Sequence, residues 1–240
     1  MPKHNNRPVA LVTGAGSGIG LACVKLLASR GFDLCLVGRN VERLREAAPG
    51  LGTECFVVGA DVANDEQVAR LAASVRSHFG RLDALVNGAG NAPMVPIEKH
   101  TPRIVRDTFD VNAIGPANLI SALWPLLRET AGMNTRATIV NISSMSTIDP
   151  FPGFLAYAGA KAAMNLMVQV AAKEGERLGI RAFAVAPGAV ETQMLRSLFD
   201  VSALPKSRAL SPDAVAKVIV ACIAGERDSE NGKVIPIPSP

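Results

Sequence analysis

The sequence predicts an α/β fold of the doubly wound kind, a seven-stranded parallel sheet with helices on both faces. Three observations carry that prediction. Seven short apolar runs alternate with longer stretches whose apolar residues recur at three- and four-residue spacing, the pattern of strands joined by helices. Runs such as Asp33–Val37 are apolar on both sides, as strands buried on two faces must be. No linker, repeat or low-complexity stretch divides the 240 residues, a length that suits one domain with a large core. Such alternation gives parallel strands, because crossovers are right-handed and helices must cover both faces.

In chain order the expected strands are Val9–Thr13, Asp33–Val37, Glu54–Val58, Leu82–Asn87, Thr138–Ile142, Arg181–Ala186 and Val234–Ile237. The expected helices cover 18–30, 41–48, 65–79, 102–129, 155–178 and 212–224, with a less regular segment over 191–210. Punctuation agrees. Asn64 with Gln67 resembles a capping box, and Ser211-Pro212 is a cap followed by a first-turn proline. Gly31, Gly80 and Gly179 stand where helices should end.

Composition excludes several classes. The net charge of +4 is mild, and its basic residues fall on polar sides of helical patterns rather than in a stripe with interleaved aromatics, so no nucleic-acid partner is expected. Cys23, Cys35, Cys55 and Cys222 show no metal-ligand spacing and read as free thiols of a reducing compartment; no metal site is expected. The first residues, MPKHNNRP, are polar and unlike a secretory signal. No stretch approaches the ~18 apolar residues a membrane helix needs. The expectation is a cytoplasmic protein with no membrane partner.

The first expected strand runs into Thr13-Gly14-Ala15-Gly16-Ser17-Gly18-Ile19-Gly20 and then a helix. Glycines there permit a sharp turn and a close approach of backbone to a pyrophosphate, and the helix start offers unpaired N–H groups. That position makes the turn a Rossmann-like dinucleotide site, with Gly14, Gly16, Ser17, Gly18 and Ile19 as its contacts. No lysine follows the glycines, so a P-loop is excluded. The spacing TGxxxGxG resembles the short-chain dehydrogenase/reductase family, and further segments of the chain match that family in order.

The second strand ends in Gly38-Arg39. In the family an acidic residue here holds the adenosine ribose of NAD; Arg39 instead suits the 2′-phosphate of NADP, which is therefore favoured, with NAD(H) kept as the alternative. The resemblance assigns Asp61 to the adenine amino group and Val62 to the ring face. Asn87-Gly88-Ala89-Gly90 resembles the family's NNAG turn with glycine in second place, bringing Asn87, Gly88 and Ala89 to the cofactor. Pro187-Gly188-Ala189-Val190-Glu191-Thr192 resembles its PGxxxT segment, implying nicotinamide contacts from Pro187, Gly188, Val190 and Thr192.

Tyr157, the only tyrosine, stands four residues before Lys161, on one helical face. A free phenol ionises near pH 10; lowering that by three units takes roughly 4 kcal/mol. A lysine charge ~4 Å away at an effective dielectric of ~20 supplies about that much, against desolvation. Ser144 lies thirteen residues before Tyr157, the family's interval, and can hold a substrate oxygen; Ser143 is the neighbour it could be confused with. Asn112 matches the family's helix asparagine, which anchors a water relay behind the lysine. The resemblance thus implies reduction of a carbonyl to an alcohol, or the reverse, with Tyr157 as proton donor and Lys161 also bonding the nicotinamide ribose.

The likeness runs from about Val9 to the last strand. Two features depart from it: the short covering segment 191–210, and a tail, Asn231–Pro240, without paired glycines, which weakens assignment as a ketoacyl reductase and bears on subunit contacts. Met94, Pro96, Met145, Ile148, Phe151 and Phe154 are expected around a small-molecule carbonyl or alcohol substrate. By family analogy the long helices mediate a homodimer or homotetramer. A dinucleotide-binding sensor without activity is the remaining reading; the intact Ser144, Tyr157 and Lys161 argue against it.

Overall fold

The computed structural model describes residues 7–133 and 135–240. The polar stretch up to Asn6, read above as no signal, lies outside the described residues. Seven parallel strands form one sheet in the order β3-β2-β1-β4-β5-β6-β7: β1 Val9–Thr13, β2 Asp33–Gly38, β3 Cys55–Gly59, β4 Ala84–Asn87, β5 Ala137–Ile142, β6 Ile180–Pro187 and β7 Val234–Ile237. Strand order reverses between β1 and β4, and the crevice above such a reversal is where open α/β sheets bind ligands.

The helices are α1 Gly18–Ser29, α2 Val41–Ala47, α3 Asp65–Phe79, α4 Pro102–Phe109, α5 Gly115–Ala131, α6 Leu155–Gly175, α7 Gln193–Leu198 and α8 Pro212–Ala224. Alternation along the strands divides the core. Val9 and Leu11 of β1 pack toward Leu71 of α3, Leu123 of α5 and Val168 of α6. Ala10 and Val12 face Leu27 of α1 and Ile219 of α8 on the other side.

Caps account for the helix ends. Asn64 accepts from Gln67 N–H at 2.9 Å, but the Gln67 side chain accepts from Asp61 N–H rather than closing a full capping box. Ser211 accepts from Ala214 N–H at 3.1 Å, ahead of Pro212. Gly80 and Gly179 take left-handed φ of 67° and 76° at helix ends.

The stretch expected as one helix over 102–129 is instead broken. Asp110–Ile114 forms a π-helical turn, with Gly115 N–H donating to Asp110 O five residues back. Two neighbours explain the break. Gly115 packs so tightly on Val62 that a methyl there would lie 2.8 Å from its carbonyl oxygen, and Pro116 has no N–H to continue the ordinary ladder. Likewise α6 stops at Gly175 and tightens into a separate turn over Glu176–Leu178. No helix among the described residues is long and apolar enough to cross a membrane.

Candidate active site

The two turns at the strand reversal lock together backbone to backbone. Thr13 Oγ1 accepts from both Gly88 N–H (3.0 Å) and Ala89 N–H (3.1 Å). Gly14, at φ 69°, would carry a methyl 2.8 Å from Gly88 O, and a methyl on Gly88 would lie 2.7 Å from Thr13 O. Neither residue has room for a side chain, and the backbone is left bare beneath the start of α1.

Above these turns opens a cavity of about 820 Å³. Gly14, Ser17, Gly18, Ile19, Arg39, Asp61, Val62, Gly88 and Ala89 line one part of it, and Asn112, Ser144, Tyr157, Lys161, Pro187, Gly188, Val190 and Thr192 the rest. Two expected contacts lie elsewhere. Asn87 is buried within the sheet, its amide donating to Asn141 on β5 at 2.8 Å, so it braces the turn from below. Gly16 faces away, 3.1 Å from Arg43 Cβ by the methyl it lacks. The bare glycine backbone, the helix start and the cavity's volume fit a dinucleotide. Asp61, expected at the adenine, also accepts from Ala63 N–H at 3.0 Å and so shapes the turn itself.

Ser144 follows β5 in extended backbone and lines the cavity beside Tyr157. Its oxygen also accepts from Ser146 N–H at 3.1 Å, which fixes the side chain. Ser143 Oγ is buried without a partner among the described residues. Lys161 is 4% exposed. Its Nζ donates to Ile142 O at 2.8 Å and stands 5.7 Å from the centre of the Tyr157 ring.

Asn112, on the π turn, is wholly buried. Its Nδ2 donates to Asn91 O (2.9 Å), Asn91 Oδ1 (2.7 Å) and Thr108 O (2.9 Å). Those bonds settle which end of the amide is which: Oδ1 points toward Gly90 and has no partner among the described residues. A methyl on Gly90 would lie 2.7 Å from that oxygen and 3.6 Å from Lys161 Nζ, so Gly90 opens the space the two groups share. Asn91 carried no sequence signal.

The electrostatics correct one expectation. Lys161 does not hold the phenol low in this structure: burial pushes Tyr157 up, the neighbouring Ser144 offsets only part of the rise, and burial brings Lys161 down to about 7. The low-dielectric wall penalises both charged forms, and near neutrality the amine is only partly protonated. A consequence is measurable. Between pH 7 and the ordinary lysine value near 10.4, the unfolded chain holds a proton that the folded chain lacks, so stability rises with pH there. From pH 7 to 8.5 cofactor-free protein should gain up to about 1.4 kcal/mol per pH unit relative to Lys161→Met, a comparison in which the buried thiols, such as Cys23, cancel. Parallel denaturation curves for the two proteins would count against a depressed lysine.

The substrate side is apolar. Phe154 lies 5.1 Å from Tyr157, Phe151 is 5.8 Å from Phe154, and Phe199 meets Phe151 edge-on at 5.9 Å. Met145 joins them, whereas Met94, Pro96 and Ile148 do not line the cavity. Met94 and Val95 instead brace the turn at Gly153, and Ile148 is 54% exposed. Segment 191–210 contains the short α7 and is tied by one side chain. Arg196 bonds the Glu191 carboxylate through two nitrogens and the carbonyls of Phe199, Asp200 and Leu204 at 3.3, 3.1 and 2.8 Å. Its ends meet as well: Leu210 N–H donates to Ala189 O and Glu191 N–H to Leu210 O, both at 2.8 Å.

Comparison with known proteins agrees with this geometry. The model of the short chain dehydrogenase family matches residues 8–202. An uncharacterized oxidoreductase of Staphylococcus epidermidis is 36% identical over 187 residues, 78% of this chain and 79% of that one. Among solved structures, levodione reductase superposes with a TM-score of 0.86 at 27% identity over 96% of both chains. A 3-ketoacyl-(acyl-carrier-protein) reductase from Brucella melitensis, complexed with NADH, does so with 0.88 at 27% identity over 96% of both. Fold, site and relatives coincide, and the chain belongs to the short-chain dehydrogenase/reductase family of NAD(P)-dependent oxidoreductases.

Proposed function

We propose that this oxidoreductase is an NADP(H)-dependent carbonyl reductase, working toward the alcohol or back, on a small, largely apolar ketone or aldehyde. One observation carries the reading: Ser144, Tyr157, Lys161 and Asn112 line the same cavity as two bare glycine turns. When bound, the cofactor supplies the hydride for the carbonyl carbon. Gly14, Ser17, Gly18, Gly88 and Ala89 would hold its phosphates and riboses, Asp61 and Val62 its adenine, and the turn from Pro187 to Thr192 its redox end.

The chain's own residues handle the oxygen. Ser144 Oγ and Tyr157 Oη hold the carbonyl oxygen, and Tyr157 gives that oxygen its proton as charge builds there. A protonated Lys161 steadies the phenolate left behind, which makes the two a coupled pair rather than independent acids. Asn112 Oδ1, unpartnered among the described residues across the gap over Gly90, is placed to anchor a water relay that replaces the proton through Lys161. Apolar walls at Phe151, Phe154, Phe199 and Leu198, on the cover 191–210, suit an apolar substrate body. Free thiols fit a reducing cytoplasm, and Leu166 and Val170, exposed on α6, fit a homodimer or homotetramer.

Arg39 supports NADP over NAD: it is exposed at the end of β2, lines the cavity and forms no ion pair among the described residues. NAD remains a second reading, favoured by the relative bound to NADH. A panel of ketones, aldehydes and diketones including levodione, followed by NADPH and NADH absorbance, tests both. Arg39→Asp should raise the KM for NADPH roughly 10- to 100-fold, the loss of a charge-assisted bond, and spare NADH. An unchanged NADPH KM would remove Arg39 from the cofactor site.

A further inference from the structure

Residues 238–240 follow β7 and continue beside the turn after β6, against the cavity. β7 pairs with β6 as far as Pro187 opposite Ile237, and Gly188 N–H donates to Ile237 O at 2.9 Å. One step on, Ser239 Oγ accepts from Ala189 N–H at 2.7 Å and lies 3.4 Å from Ala189 O. Gly188 makes this approach possible, since a methyl there would stand 2.5 Å from Ser239 Oγ and 3.0 Å from Ser239 N. Ser239 and Pro240 both line the cavity.

The neighbouring prolines make the arrangement cheap. Pro236 stands on the outer edge strand, where its missing N–H costs no ladder bond, and Pro238 and Pro240 follow just beyond it. Pro238 fixes its own φ, and Pro240 confines Ser239 to extended backbone, so little freedom is lost when the hydroxyl is placed.

The effect falls on two successive peptides. Ala189 N–H is taken by Ser239 and its carbonyl by Leu210 N–H. In this parallel bridge Leu210 bonds both neighbours of Val190 with its own N–H and C=O, so Val190 turns its polar groups the other way. Its carbonyl takes the Thr192 hydroxyl at 3.1 Å, and its N–H has no partner among the described residues. The Ala189–Val190 peptide, which carries that N–H, is held at its carbonyl by Leu210 N–H at 2.8 Å and by the Ser239 hydroxyl at 3.4 Å, while Ser239 also takes the N–H of the peptide before it.

We infer that Ser239 is a positioning residue for the redox end of the cofactor: its hydroxyl fixes the Gly188–Val190 turn so that the free Val190 N–H meets the nicotinamide side of a bound dinucleotide. The inference rests on the cofactor orientation proposed above.

Equilibrium titration separates it from a general structural role. Two ligands are compared: NADPH, and 2′-phospho-ADP-ribose, which lacks the nicotinamide ring. Ser239→Ala should weaken NADPH roughly 5- to 10-fold, the scale of one lost hydrogen bond, and leave the ring-less fragment unchanged. Ser239→Thr, which keeps the hydroxyl, should restore NADPH affinity to near the parent value. Gly188→Ala, which displaces the hydroxyl instead of deleting it, should reproduce the selective loss if Ser239→Ala fails to fold. Equal weakening of both ligands, or no weakening of NADPH, overturns the inference. Parent protein that binds the fragment but not NADPH more tightly would instead overturn the orientation on which it rests.

Discussion

Tyr157→Phe will lower turnover by about three to four orders of magnitude while leaving dinucleotide affinity largely intact. The substitution removes one oxygen and nothing else. The ring keeps its packing against Phe154, 5.1 Å away, and Lys161 keeps its bond to Ile142 O at 2.8 Å, so neither the wall nor the amine should move. What is lost is the acid within reach of a carbonyl oxygen held by Ser144. Steady-state kcat with NADPH and the best substrate of the panel, alongside a direct binding titration, checks both halves. Turnover within tenfold of the parent would show that another group donates the proton.

Gly20→Ala should be nearly as damaging, for a different reason. A methyl on Gly20 would stand 2.2 Å from Gly14 O and 2.7 Å from its carbonyl carbon, and Gly14 is itself pressed against Gly88 O. The obstacle is backbone on both sides, so the turn must open rather than a side chain rotate. Overpacking of this kind costs about 3 kcal/mol or more, which for a chain of this size lowers Tm by roughly 6–10 °C. Because the turn is the phosphate cradle, dinucleotide affinity should fall about 100-fold with it. Gly132→Ala is the control: its φ is −65° and its nearest contact 3.4 Å, so thermal unfolding and binding should stay at parent values. A Gly20→Ala protein that binds NADPH normally would mean the turn does not touch the phosphates.

The strands, the glycine turns and the pairing of Tyr157 with Lys161 were legible in the sequence because each rests on local rules. Two-sided apolar runs mark buried strands, glycine marks close backbone approach, and a four-residue interval marks one helical face. The π turn at Asp110–Ile114 was not legible, since its cause, the packing of Gly115 on Val62, joins residues far apart in sequence. Asn91 and Ser239 were missed for the same reason: a polar residue in a loop or tail announces nothing until its partner is known. The direction of the Tyr157 shift differs from the expectation because sequence spacing gives the pair's separation but not the burial around it.

The bridge between Val190 and Leu210 closes the covering segment at its root, whatever lies between. A loop whose stem is already fastened can change length and composition at small entropic cost, since its closure does not depend on its contents. Arg196 knots the present contents internally, to carbonyls within the same loop rather than to the sheet. The insert thus behaves as an exchangeable cassette. Transplanting other residues between Thr192 and Leu210 would redraw which molecules enter, while the hydride-handling half of the protein carried on unaltered.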